Sequence, residues 1–289
     1  YYFTKKIVGF ADMQFRRVSY NVSGIDNDQR YLFQDLDYNF FNPKVGLSYL
    51  LNTKSTLYTS FAVANREPTR NDFIDNDEKP EHESMYDLEL GYNYASKYLR
   101  VSTNYYYMHY KNQLVLNGAL NDVGSTVRIN VDKSYRTGIE TAVGMDVAEI
   151  ISLDANATWS VNEIRSFEDE SLVKHDKTKI SYSPQWIGGL QFGLRPIKGL
   201  SFSISSKFVG KQFLDNTSTD RLSIDKYRQN DMRIAYTFHT EVLKDVEFSL
   251  LLNNFTNREI VANAYVYAGE AYFFPQAKFN FMAGVNLRF

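Results

Sequence analysis

The sequence contains no cysteine, which excludes disulfide bonds and thiolate metal sites. Its four histidines, His82, His109, His175 and His239, are far apart, and no two have the spacing of a metal site. The formal net charge is −2, so no basic surface for nucleic acid is expected. No glycine-rich phosphate-binding motif is present either. We therefore predict no cofactor, no resident metal, no nucleic-acid partner and no enzymatic activity.

Long apolar runs are also missing. No stretch approaches the roughly 18 apolar residues of a transmembrane helix, and the mean hydropathy is −0.40. A β-barrel can still lie in a membrane at this hydropathy, because its strands alternate lipid-facing and lumen-facing residues. The 22 tyrosines and 21 phenylalanines fit that class, since aromatic rings form girdles at both membrane interfaces.

Apolar and polar residues alternate along much of the chain. In the C-terminal segment KFNFMAGVNLRF (residues 278–289), every odd position is apolar and most even positions are polar. The segments YDLELGYNY (86–94), LDANATWSVN (153–162), LSFSISSKF (200–208) and VEFSLLLNN (246–254) behave alike. A period of two predicts strands with one apolar face, and no helical period stands out. In the last strand we expect lipid contact for Phe279, Phe281, Val285 and Leu287, and lumen contact for Lys278, Asn280 and Asn286.

The predicted connections alternate strictly between short and long. Short turns fall at residues 52–55, 95–98, 146–149, 195–199 and 239–245. Longer polar loops fall at residues 23–34, 66–81, 112–126, 165–176, 210–224 and 257–274. This asymmetry is typical of an outer-membrane barrel, with short turns on one rim and long loops on the other. The pattern predicts an all-β, antiparallel, up-and-down transmembrane barrel portion of about twelve strands. A tyrosine-rich soluble β-protein is the alternative.

Several stretches resemble a known family. They are SFAVANREPTRNDF (60–73), KPEHESMYDLELGY (79–92), YRTGIETAVG (135–144) and LLNNFTNREI (251–260), together with the last fifteen residues. Their order and spacing resemble the C-terminal barrel portion of a TonB-dependent outer-membrane receptor, with Ile260 where the family usually has tyrosine. The resemblance covers nearly the whole chain.

The resemblance implies a function and partners. It implies that residues 1–289 are the later part of a barrel of about 22 strands, without the plug domain and the early strands. Such a receptor imports a scarce, large nutrient, such as a ferric siderophore, haem or cobalamin, across the outer membrane of a Gram-negative bacterium. The implied partners are the TonB–ExbB–ExbD complex acting through the plug, the nutrient chelate, outer-membrane lipid and a surface lipoprotein. Two other classes stay open, a passive channel of about twelve strands and a soluble glycan-binding β-protein.

Three groups of residues are candidates for function. Arg66 and Arg70 flank Pro68 and can hold an anionic chelate, or else anchor the loop. Aromatic residues of the last long loop can stack on a ligand or form a girdle; they are Tyr265, Tyr267, Tyr272 and Phe273. The candidates for plug contact in the lumen are Glu140, Asp154, Asn156 and Asn253. The resemblance gives Phe289 the role of an assembly signal. The acidic positions at 26, 28 and 75–81 are interpreted as solvated loops rather than Ca²⁺ sites.

A further expectation concerns the pairing of the first and last strands of the predicted sheet. Unpaired backbone groups cost several kcal/mol each in lipid, so a membrane sheet must close or meet partner strands. We expect no ladder between residues 6–15 and 278–288. Further strands would then complete the barrel.

Overall fold

The computed structural model describes residues 1, 3–25, 29, 31–74, 79–120, 124, 126–169 and 173–289. Within these ranges the chain forms 17 strands and one short helix. They are β1 (Ile7–Ile25), β2 (Tyr31–Asn52), β3 (Ser55–Arg66), α1 (Arg70–Ile74), β4 (Glu83–Ala95), β5 (Leu99–Leu120), β6 (Thr126–Val147), β7 (Ile151–Glu168), β8 (Lys174–Lys179), β9 (Trp186–Ile197), β10 (Leu200–Val209), β11 (Gln212–Phe213), β12 (Ser223–Ile224), β13 (Tyr227–Phe238), β14 (Asp245–Asn253), β15 (Val261–Tyr267), β16 (Glu270–Pro275) and β17 (Asn280–Arg288). No helix in the described ranges is long and apolar enough to cross a membrane.

Twelve of the strands form one continuous antiparallel sheet. Its order is β1-β2-β3-β4-β5-β6-β7-β9-β10-β13-β14-β17, so every strand pairs with the next one along this path. This confirms the predicted up-and-down arrangement of about twelve strands. The five remaining strands lie within the long connections. β8 pairs with β7, and β11-β12 and β15-β16 form separate two-stranded ladders.

Strand pairing separates the residues into an apolar face and a polar face. Directly opposite residues of an antiparallel pair lie on the same side of a sheet. In the β14–β17 ladder, Phe248 is opposite Val285, whereas Glu247 is opposite Asn286. The same ladder places Leu252 against Phe281 on the apolar side, and the Asn253–Asn280 pair lies on the polar side. The ladder thus groups Phe281, Val285 and Leu287 on the apolar face and Asn280 and Asn286 on the polar face, whereas their contact with lipid and lumen stays a prediction.

The apolar face continues across the sheet in transverse rows. One row crosses five strands and consists of the consecutive pairs Leu90–Tyr105, Tyr105–Ile139, Ile139–Trp159 and Trp159–Trp186. These large side chains remain exposed, with 50% of Trp186 and 48% of Leu90 accessible. A protein in water does not leave such a contiguous apolar surface uncovered without a binding partner. Lipid is the environment that suits it.

The sheet path places all short turns on one rim and all long connections on the other. This follows because consecutive strands of the path run in opposite directions, and it confirms the predicted sidedness. Three predicted loop ranges were clearly too long, however. Residues 23–25 and 31–34 belong to β1 and β2, β5 extends to Leu120, and β7 extends to Glu168. Val115 of β5 and Val131 of β6 are buried in one apolar cluster, which favours the pairing of these two strands.

The two end strands of the path, β1 and β17, are not joined by a ladder in the described part of the chain. At the free edge of β1, Tyr1 and Gly9 exchange two backbone hydrogen bonds. Tyr1 N donates to Gly9 O over 2.6 Å, and Gly9 N donates to Tyr1 O over 2.8 Å. The expectation that residues 6–15 and 278–288 do not pair with each other is thus met.

Candidate functional site

A cavity of about 300 Å³ lies at the long-loop rim on the polar side of the sheet. It is lined by strand ends that are distant in sequence but adjacent in the sheet. Three arginines line it, namely Arg66 at the end of β3 and Arg128 and Arg136 on β6. The remaining lining includes Glu83, Tyr110, Gln113 and Ser181. Three cations around one small cavity make it a candidate anion-binding site, which we call the arginine cavity.

The charges of the arginine cavity are only partly compensated. Arg66 Nε lies 3.1 Å from Glu83 Oε1, and Glu83 Oε2 accepts a hydrogen bond from Leu114 N. Arg128 lies 3.7 Å from Asp72, a buried residue of α1. Arg136 donates to Asn162 Oδ1 at 3.4 Å and to Ser183 Oγ at 3.0 Å. Both partners are neutral, and no carboxylate among the described residues pairs with Arg136.

The structure separates the two arginines that were predicted to act together. Arg66 lines the arginine cavity, whereas Arg70 begins α1, is exposed and lies outside that lining. The reason is local. Thr69 and Asp72 form a capping arrangement, in which Asp72 Oδ2 accepts hydrogen bonds from Thr69 N and Thr69 Oγ1, both at 2.7 Å. This turn directs the chain away from β3 before Arg70.

The aromatic candidates lie on the β15–β16 hairpin. Tyr265 is directly opposite Tyr272, and the two rings stack with centroids 5.3 Å apart. Tyr267 contacts Tyr272 edge-on at 6.4 Å, and Phe274 lies 5.6 Å from Tyr265. Phe273 is opposite Ala264 and belongs to the other face of the hairpin. Three of the four predicted residues thus share one face, and Phe274 completes it.

The other face of the hairpin packs into a small core formed by the long connections. Ala264 and Val266 contact Leu214, Leu222 and Ile224, all buried. Tyr182 also packs there and donates a hydrogen bond to Ala264 O at 3.1 Å. Burial and the nearby Asp215 carboxylate raise the pKa of Tyr182, so its hydroxyl keeps the proton that it donates. We call this assembly the loop core.

The loop core is tied to the end of β5 by a buried asparagine. Asn216 is 1% exposed; its Nδ2 donates to Leu116 O at 2.7 Å, and its Oδ1 accepts from Ser181 N at 2.9 Å. Ser181 lines the arginine cavity. The Asn216 side chain therefore links the loop between β10 and β13 to the loop between β8 and β9, which forms part of the cavity wall.

Asn216→Ala is expected to loosen this region. The substitution leaves the amide of Ser181 and one bond of Leu116 O unsatisfied in a buried setting, which costs about 1–3 kcal/mol. Hydrogen exchange at residues 180–183 should accelerate correspondingly. Asn263→Ala is the matched control, because Asn263 is exposed on the same assembly. Equal exchange rates in both variants would contradict the role given to Asn216.

A second, larger cavity of about 750 Å³ lies further along the polar face. Residues of β4, β5, β6, β7, β9, β10 and β13 line it, so the sheet curves around its polar side. Small residues such as Gly144, Gly189 and Ser205 form much of its wall beside Gln191 and Lys207. This wall leaves room for another protein surface or for a hydrated path.

The four lumen candidates all lie on the polar face. Asp154 and Asn156 line the larger cavity, and Arg100 lies 3.7 Å from Asp154. Glu140 is opposite Asn104, whose Oδ1 accepts a hydrogen bond from Tyr58. Asn253 lies near the far end of the sheet and donates to Asn280 Oδ1 at 2.8 Å. The structure therefore brings two of the four candidates together.

The remaining candidate positions are scattered. Phe289 follows β17 and is 89% exposed. Residues 26, 28 and 75–78 of the acidic stretches lie outside the described residues. Among the described residues, no three histidines or carboxylates are grouped as a metal site. Sequence reasoning missed Arg128, Arg136 and Glu83. The alternation of Ser134, Arg136 and Gly138 is a signal that could have placed Arg136 on the polar face.

Comparison with known proteins places the chain in a family. Residues 12–255 match the family model of the TonB dependent receptor-like β-barrel. No curated protein sequence matches the chain. Among solved structures, the siderophore receptor PiuA from Acinetobacter baumannii is similar, with a TM-score of 0.76 and 16% identity over 98% of this chain and 41% of that chain. The ferric-catecholate import receptor Fiu from E. coli K12, in its closed form, has a TM-score of 0.71 and 16% identity over 99% of this chain and 43% of that chain.

A third structure, the ferric yersiniabactin uptake receptor FyuA from Yersinia pestis, gives a TM-score of 0.73 and 17% identity over 98% of this chain and 43% of that chain. The chain thus spans about two fifths of the length of these structures. At such identities the likeness concerns the fold. The family comprises outer-membrane receptors and transporters rather than enzymes. The chain belongs to the TonB-dependent receptor family and has the fold of its β-barrel.

Proposed function

We propose that this barrel belongs to an outer-membrane importer of an anionic iron chelate, energised from the inner membrane. The observation that carries the proposal is the arginine cavity, in which the partners of Arg136 among the described residues, Asn162 and Ser183, are neutral. A guanidinium group binds carboxylate or catecholate oxygens through paired hydrogen bonds. An uncompensated guanidinium in a half-enclosed cavity gives such a ligand more binding energy than one on an open surface.

The position of the cavity fits capture from outside. It lies at the long-loop rim, and Asn216 links its Ser181 wall to the connection that carries part of the loop core. Its volume of about 300 Å³ is at the lower limit for small-molecule sites. It would hold one edge of a chelate while other loops cover the rest. The tyrosine face of the β15–β16 hairpin is a second contact for a planar ligand.

The similar structures support this chemistry. PiuA is a siderophore receptor, Fiu is a ferric-catecholate import receptor and FyuA is a ferric yersiniabactin uptake receptor. The proposal for this chain is of the same class. The particular chelate depends on residues beyond the arginine cavity.

We also propose a plug domain that packs against the larger cavity, with Glu140, Asp154 and Asn156 among its contacts. Further strands would pair with the free edges of β1 and β17 and complete a barrel of about 22 strands. The TonB–ExbB–ExbD complex would act on the plug, and a surface lipoprotein is an additional partner to test. The site of action is the outer membrane of a Gram-negative bacterium.

The test is a binding measurement with the purified receptor and two probes, ferric citrate and a ferric catecholate complex. Arg136→Gln removes one charged hydrogen-bonding group and should weaken binding of at least one probe by about 10-fold to 100-fold. Arg195→Gln is the control, because Arg195 is an exposed arginine close to the short-turn rim. Raised salt should weaken binding to the unmodified receptor more than to Arg136→Gln. Unchanged affinity of Arg136→Gln for both probes would contradict the proposal.

A further inference from the structure

A row of cations crosses the apolar side of the sheet at the long-loop rim. Lys111 of β5 is directly opposite Lys133 of β6. Arg165 continues the row on β7, since it follows Ile164, the residue paired with Ser134. All three side chains are exposed. We call Lys111, Lys133 and Arg165 the cationic row. Like charges directly opposite each other destabilise a sheet, so the row needs an explanation.

Nothing in the described part of the chain neutralises the cationic row. None of its members forms an ion pair with a described carboxylate, and all three charges act on the same neighbour, His109. The nearest acidic position in the row below, Glu163, is already bound to Lys179 at 2.5 Å and accepts a hydrogen bond from Tyr135. Elsewhere on this face, by contrast, Arg17 is paired with Asp37 at 2.7 Å.

The cationic row lies at the level of lipid headgroups. Along β6 the apolar-face positions run from Met145 to Tyr135 before Lys133 follows. Ten residues of strand cover about 34 Å, or about 26 Å along the membrane normal at a tilt of about 40°. This matches the apolar band of about 25 Å in membrane barrels. Lys133 is the first outward position beyond that band.

Aromatic rings mark the boundary directly below the cationic row. Tyr107 and Tyr135 stack with centroids 6.3 Å apart, and Lys111 Nζ lies 5.7 Å from the centre of the Tyr86 ring. Aromatic residues at this depth anchor a barrel at the membrane interface. The order from the sheet centre towards the rim is therefore aliphatic, aromatic and cationic, which is the polarity profile of one lipid leaflet.

We propose that the cationic row binds the phosphate groups of lipids in the leaflet at the long-loop rim. Lysine offers a compact charge to phosphate and arginine offers a planar fork. A lipid is the source of the phosphate because the row faces outward, beside the apolar band. This inference rests on the membrane fold and is independent of the imported substrate.

The test uses the receptor in a neutral detergent and native mass spectrometry with two lipids, phosphatidic acid and phosphatidylcholine. The variant K111Q/K133Q/R165Q should bind phosphatidic acid about 100-fold more weakly, because each cation that is removed should lower the affinity about fivefold. Binding of phosphatidylcholine should change by less than about twofold, because its choline group balances the charge of its phosphate. The control K54Q/K97Q/K198Q removes as many cations from the short turns and should stay within about twofold of the unmodified receptor.

The charge-conserving variant K111R/K133R separates the loss of charge from a folding defect. It should retain the affinity for phosphatidic acid. Unchanged binding of this lipid by K111Q/K133Q/R165Q would overturn the proposal, as would an equal loss in the short-turn control. Displacement of phosphatidic acid by inorganic phosphate at equal concentration would identify a soluble phosphate as the ligand and would also overturn it.

Discussion

Val285→Arg is expected to lower the free energy of unfolding in lipid vesicles by about 2–4 kcal/mol, the cost of a cation at the midplane of a barrel's lipid-facing surface. Val285 lies near the middle of β17, opposite Phe248 on the apolar face, and is 59% exposed. The apolar side chains Phe248 and Leu287 around this position offer the guanidinium no partner, so the charge enters hydrocarbon. Urea unfolding of the receptor in vesicles measures the change.

Asn286→Arg is the matched control for this substitution. Asn286 is the next residue, but it is opposite Glu247 on the polar face. There the new cation meets a carboxylate and water, so the free energy of unfolding should change by less than about 1 kcal/mol. A larger loss for Asn286→Arg than for Val285→Arg would reverse the assignment of the two faces.

Ile164→Ala should cost about 2–5 kcal/mol of stability at the long-loop rim, because it opens a cavity in a packed core. Ile164 is fully buried among Val115, Val131 and Ile180. Ile164→Val removes a single methyl group and should cost about 0.5–1.5 kcal/mol. Hydrogen exchange of β8 amides, measured in both variants, reports this local core separately from the rest of the sheet. Equal exchange in both variants would show that these strand ends are not packed together.

The register of the sheet could be predicted from the sequence because a period of two leaves little freedom. Shifting β17 by one residue would exchange Val285 with Asn286 and place polar residues in lipid. The same rule limits which tyrosines can form a girdle at the membrane interface. Tyr105, Tyr106 and Tyr107 follow one another in β5, and neighbouring residues of a strand point to opposite sides. Tyr106 instead lies on the polar face opposite Gly138 and is buried.

The extent of the strands at the long-loop rim was harder to predict. Residues 112–126 contain Asn112, Asn117, Gly118 and further turn-forming residues, which indicated a loop. The structure extends β5 to Leu120 because Leu114 and Val115 find buried partners there. The packing of Val115 with Ile180 joins segments 65 residues apart. Local propensity carries no information about such contacts.

The residues of the candidate site were also hard to predict, because most of them are distant from one another in the sequence. Arg66 could be singled out from its motif, and it does line the arginine cavity. The partners of that cavity come from Glu83 on β4 and from Arg128 and Arg136 on β6. They meet only after β3, β4, β5 and β6 pair in register. Arg70 is closer to Arg66 in sequence, yet the turn at Thr69 and Asp72 separates the two.

The most direct test of the membrane-barrel assignment is a scan of single cysteines along β6, to which these 289 residues add no cysteine of their own. Positions 139–146 are changed one at a time, spin-labelled in the receptor and reconstituted in lipid vesicles. The account predicts high accessibility to oxygen at Ile139, Thr141, Val143 and Met145, and high accessibility to a water-soluble nickel complex at Glu140, Ala142, Gly144 and Asp146. Accessibility without a period of two, or with the two sets exchanged, would contradict it.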